Sequence, residues 1–105
     1  MQIQADTARD AARTAQCDAL DTALAARRSD LDGKETSLQI TENDLTARRG
    51  ALDATRYTAD PVTYNLQVDR YNSLLVGYNS EAADYRSGIA RFNAEVEAYN
   101  TTCGR

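Results

Sequence analysis

Residues 57–103 read YTADPVTYNLQVDRYNSLLVGYNSEAADYRSGIARFNAEVEAYNTTC, and every aromatic residue of the chain lies in this stretch. They recur at intervals of seven: Tyr57, Tyr64, Tyr71, Tyr78, Tyr85, Phe92 and Tyr99. Asparagine follows at Asn65, Asn72, Asn79, Asn93 and Asn100, with Arg86 in the one substituted position of that run. Four residues after each aromatic from Tyr64 onward stands a second ladder, Val68, Leu75, Ala82, Ile89, Val96 and Cys103. Spacings that alternate four and three place both ladders on one stripe of a helix, and a seven-residue period held this long predicts a coiled-coil seam.

Working back from that stretch, Asp60-Pro61 predicts where the helix starts. An aspartate can accept from free amides of the first turn, and proline fits the next position because its φ is already helical and it has no amide to leave unpaired. Pro61 is the only proline in the chain. On its other side a further ladder runs at the same interval: Cys17, Leu24, Leu31, Leu38, Leu45 and Leu52. The line four residues on is charged throughout, Asp21, Arg28, Glu35, Glu42, Arg49 and Arg56. One leucine per heptad cannot hold a helix in water by itself, so this half needs a partner with more apolar surface. The aromatic half provides it.

Facing residues of an antiparallel hairpin have a constant sum of residue numbers. Leu52 with Val68, Leu45 with Leu75, Leu38 with Ala82, Leu31 with Ile89, Leu24 with Val96 and Cys17 with Cys103 all sum to 120, centred on residue 60. The expected fold is therefore all-α, an antiparallel two-helix coiled-coil hairpin. Helix 1 runs to about residue 56, the turn spans 57–60, helix 2 starts at about 61, and 104–105 form a tail. In the same register the charged line meets the aromatics: Asp21 with Tyr99, Arg28 with Phe92, Glu35 with Tyr85, Glu42 with Tyr78, Arg49 with Tyr71 and Arg56 with Tyr64. Arginine can lie over an aromatic face and a carboxylate can accept from a phenol; the plainer reading is a half-exposed flank. In a third reading, Tyr64, Tyr71, Tyr78, Tyr85, Phe92 and Tyr99 form an interface with a second hairpin, giving a four-helix dimer.

Gly33, Gly77 and Gly88 fall inside the expected helices, each costing about 1 kcal/mol relative to alanine. Leu31 and Leu38 keep phase across Asp32-Gly33, so continuous helix is expected there. Gly33 and Gly88 are near one another in the register, which suggests close backbone approach. Residues 1–16 overhang, because their partners would lie beyond Arg105. Ala5, Ala8, Ala12, Ala15 and Ala19 nevertheless form a stripe, with Asp6–Arg9 and Asp10–Arg13 spaced for helical ion pairs. The stripe suits docking onto a second copy or a neighbouring segment; a frayed terminus is the alternative.

As a disulfide, Cys17 and Cys103 would close a loop of 87 residues, for which chain entropy gives about 4–5 kcal/mol. A two-helix protein gains much from such a closure. An intramolecular bridge implies an oxidising compartment: periplasm, cell surface or secreted. Buried reduced thiols and an intermolecular bridge are the alternatives. Met1-Gln-Ile-Gln-Ala lacks the basic start and apolar core of a signal peptide. Met1 is therefore expected to be an expression start placed after a removed signal or anchor; a natural start there would favour a cytosolic setting.

Composition narrows the function. The chain has 105 residues, a net charge of −4 and no histidine. Residues 1–56 carry ten acids and eight bases, and residues 57–105 carry six and four, so neither half offers the basic face nucleic acid needs. The longest run of leucine, isoleucine and valine is Leu74-Leu75-Val76, far too short to enter a bilayer as a span. Acid pairs Asp30/Asp32, Glu42/Asp44 and Glu95/Glu97 are spaced to diverge on a helix. Asp30-Leu-Asp-Gly-Lys-Glu has lysine where a calcium loop needs a ligand. Arg27-Arg28 and Arg48-Arg49, and the asparagine row, read first as solvated flanks. Asn100-Thr101-Thr102 fits a glycosylation sequon. No catalytic residue, metal ligand or cofactor site is expected; the expected partner is a second copy or another helical protein.

The Tyr-Asn-x-x-[Leu/Val] unit, as in Tyr71-Asn72-Ser73-Leu74-Leu75, resembles coiled-coil segments of bacterial secreted and membrane-anchored proteins. That resemblance covers residues 57–103 and implies a spacer or oligomerisation arm. The leucine ladder of residues 17–52 and the cysteine pair lie outside it. The expected function is a non-enzymatic, extracytoplasmic, disulfide-stapled hairpin acting as spacer, docking arm or oligomerisation element. Alternatives are a small binding or inhibitor protein using a tyrosine-rich face, and a reduced cytosolic coiled-coil adaptor.

Overall fold

The computed structural model describes residues 2–104, and side chains from residue 7 onward. The expectations for Met1, Ala5, Asp6 and Arg105 fall outside the described residues. Two helices make up the fold, α1 over Gln2–Thr55 and α2 over Pro61–Cys103, joined as an all-α hairpin. α1 ends one residue before the expected boundary. It continues without interruption through Asp32-Gly33, as the unbroken leucine phase requires. Threonines fit into these helices by donating back one turn: Thr22 to the Asp18 carbonyl, Thr41 to Ser37, Thr46 to Glu42 and Thr55 to Ala51, at 2.8–3.1 Å. That bond occupies a hydroxyl that would otherwise compete with the helix for backbone partners.

Each end of the turn has a defined chemistry. The Thr55 carbonyl accepts from the amides of Thr58 at 3.2 Å and Ala59 at 2.9 Å, closing α1 with no non-glycine residue at positive φ among the described residues. Asp60 then caps α2. Its Oδ2 accepts from the Thr63 amide at 3.3 Å and its carbonyl from the Tyr64 amide at 2.8 Å, while Pro61 takes the first helical position. α2 stops at Gly104, whose φ of 62° is left-handed and whose amide bonds the Asn100 carbonyl at 3.0 Å. This is the single-bond left-handed cap, which glycine enters without a Cβ clash.

The described residues form two compact units. A terminal unit joins the chain up to Asp32 with the chain from Ser87, and a turn unit comprises Gly33–Arg86. Each contains paired α1 and α2 segments and one buried leucine, Leu31 (8% exposed) and Leu45 (7%) respectively. The rest of the two ladders is half-buried: Leu24, Leu38 and Leu52 on α1, and Val68, Leu75, Ala82, Ile89 and Val96 on α2. Inside the terminal unit the facing pairs are Cys17 with Cys103, Arg27 with Glu95 and Leu31 with Gly88. Inside the turn unit Leu38 and Ala82 line one depression and Leu52 and Gln67 another. All of these lie within two of the residue-number sum of 120.

So thin a core leaves much surface in water. The accessible area is 8133 Å², whereas a compact monomer of 11.5 kDa would expose roughly 5,800 Å². Burial alone is a weak source of stability here, which directs attention to the covalent and capping contacts.

Candidate functional site

In the terminal unit Cys17 and Cys103 are both half-buried. Their sulfurs lie 2.06 Å apart, at disulfide distance, with Cα atoms 5.9 Å apart. Beside them Arg13 Nη2 donates to the Thr102 carbonyl at 3.0 Å. That carbonyl belongs to the last turn of α2, where acceptors lack helical partners and the helix end is partly negative, so a guanidinium is favoured there. The register centred on residue 60 leaves residues 1–16 without facing residues, yet Arg13 reaches the end of α2 from outside that register. No side-chain pattern could have announced the contact, because its acceptor is main chain. Thr14, Asp18, Asp21 and Tyr99 line a shallow depression around the pair.

One polar contact of this unit is left incomplete. Arg27 Nε meets Glu95 Oε2 at 2.9 Å, while Glu95 Oε1 is buried without a hydrogen-bond partner. An unsatisfied buried acceptor costs about 1–3 kcal/mol. The pair is 47% and 32% exposed, and an ion pair that open to water returns little.

In the turn unit the aromatic ladder lies half in and half out: Tyr64, Tyr71, Tyr78 and Tyr85 are half-buried, as are Phe92 and Tyr99 in the terminal unit. Tyr57 on the turn is 89% exposed, and the Arg56 guanidinium sits 5.9 Å from its ring centroid. Hydrogen bonding to the Tyr57 side chain first, then to Tyr64, holds the Arg56 pKa above its ordinary value. Glu35 and Glu42 share a groove with Tyr78 and Tyr85, and Asp21 shares one with Tyr99.

The charged line of α1 is nonetheless exposed at Asp21, Arg28, Glu35, Glu42, Arg49 and Arg56. The half-buried companions of the leucines are Leu20, Thr41 and Thr55, with Arg27 in the same row. That row lies three residues after each ladder position rather than four. Both rows are mostly polar, so no hydrophobic signal distinguished them.

The alanine stripe proves to be the start of a longer one. Past Ala19, the alternation of three and four continues through Thr22, Ala26, Ser29, Gly33, Thr36, Ile40, Asn43, Ala47, Gly50 and Ala54, all exposed, as are Ala8, Ala12 and Ala15. Ile40 is 65% exposed, and a Cβ added at Gly33 or Gly50 would meet nothing within 4 Å. Close approach within the hairpin therefore does not explain Gly33. It does explain Gly88, where a Cβ would stand 2.9 Å from Leu31 Cδ2. Extending the spacing beyond residue 19 would have shown the stripe from sequence alone.

The helical course of residues 30–35 leaves no loop for calcium. No cluster of three or more His, Cys, Asp or Glu side chains suited to a metal is present among the described residues. None of the described helices is long and apolar enough to cross a membrane. No family model, curated protein or solved structure matches this chain.

Proposed function

We propose that the protein is a non-enzymatic structural module, an extracytoplasmic hairpin stapled by Cys17–Cys103 that serves as a spacer or docking arm and self-associates. The observation carrying this reading is the pairing of a cysteine couple at disulfide distance with a core of two buried leucines. A fold with so little burial gains most from a covalent closure that restricts the unfolded chain, and such a closure persists in oxidising compartments. The exposed α1 stripe supports the docking half of the reading, since small side chains let a second helix approach closely.

The test is non-reducing peptide mapping after export to an oxidising compartment, followed by light scattering on the same sample. A Cys17–Cys103 peptide from one chain, with a mass above the monomer at high concentration, is the expected result. Free thiols would move the reading to a reduced cytosolic adaptor. A strict monomer would favour the second reading, a small binding or inhibitor protein. Exposed Tyr57 beside the half-exposed aromatic ladder favours that one.

A further inference from the structure

The disulfide sits in only one of the two compact units, and the units differ in what else holds them. The turn unit contains the short connection, the Asp60 cap and the buried Leu45. Its helix segments meet next to the connection, so its innermost pairs, such as Leu52 with Gln67, close short loops on which the outer ones can build. The terminal unit pairs segments separated by 55 residues or more, Asp32 to Ser87 being the nearest approach in sequence. Besides the disulfide it has the buried Leu31, the Arg27–Glu95 pair and the Arg13–Thr102 bond, both polar contacts open to water, but it spends a core position on Gly88, carries the orphaned Glu95 oxygen and includes a segment, residues 7–16, that is exposed throughout. The unit boundary also falls on a weak point of α1, since Gly33 begins the turn unit and is a helix-destabilising residue with empty space around it.

We infer that Cys17–Cys103 is a redox latch for the terminal unit alone: its reduction opens residues 17–32 and 87–103 while the turn unit stays paired. The step transfers two electrons and two protons from a dithiol reductant, which becomes a cyclic disulfide as the protein gains two thiols. Opening then frees Leu24, Leu31, Ile89, Phe92 and Val96 for another helix. This rests on the stapled-hairpin reading and adds to it that the staple controls one unit.

Hydrogen exchange followed by mass spectrometry tests the latch on the full chain, before and after dithiothreitol. Peptide mapping first establishes that the sample carries the crosslink; its absence there would refute the staple and the latch with it, whereas the exchange data bear on the latch alone. On crosslinked protein, reduction is expected to speed amide exchange at least tenfold in 17–32 and 87–103, and to change it less than twofold in 38–82. Loss of protection in both units together would overturn the inference, and so would retained protection in both. The Cys17→Ser/Cys103→Ser variant should reproduce the reduced pattern without reductant, and complete unfolding of that variant would also overturn it. Gly33→Ala, which meets no atom, should slow exchange in 25–32 of the reduced protein.

Discussion

A Cβ added at Gly88 would press on Leu31 Cδ2 at 2.9 Å, whereas one at Gly33 would meet nothing within 4 Å. The two positions carry the same propensity penalty in opposite surroundings. Gly33→Ala should stabilise the hairpin by about 0.5–1 kcal/mol, because it narrows the unfolded chain and clashes with nothing. Gly88→Ala should fall short of that gain or reverse it, since Leu31 is one of the two buried leucines among the described residues and has to move. Urea unfolding of both variants measures the difference. The leucine ladder gives a second comparison. Leu45→Ala should cost about 2–3 kcal/mol and half-buried Leu38→Ala distinctly less, a ranking that equal spacing in the sequence does not supply.

The helices depend on their ends as much as on their faces. Asp60→Ala removes the acceptor of the Thr63 amide and should cost about 1 kcal/mol, with faster amide exchange confined to the first turn of α2. Arg13→Ala should weaken the last turn of α2 although the two are remote in sequence, and exchange at Asn100–Cys103 would register it. The course of both helices, their turn and the pairing within each unit were legible because period-seven apolar ladders converge on Asp60-Pro61. Two features were not. The inward row beside the leucines was hidden because two polar rows compete for it, and Arg13's contact was hidden because every residue offers a carbonyl. Gly33 was legible as a helix weak point but not as the edge of a unit, which depends on contacts gathered from both helices.

Across the molecule, stability and association should be separable. Replacing both cysteines by serine should lower the stability of the terminal unit by up to about 4–5 kcal/mol and leave that of the turn unit nearly unchanged. If the hairpin self-associates, its melting temperature should rise with protein concentration. Gly50→Leu places a bulky group on the exposed α1 stripe where the hairpin has room for it; it should leave helicity intact and shift light scattering towards the monomer. Unchanged mass would remove the stripe as a contact surface.

The link between Cys17 and Cys103, 86 positions apart, also makes the intervening chain a closed ring. A pull applied outside the two cysteines passes through their sulfurs and bypasses the hairpin, which bears no load however weakly its helices adhere. Reduced under tension, the same chain would yield its hidden slack, roughly 300 Å at full extension. An optical-trap record should show that lengthening with a dithiol present and none without it.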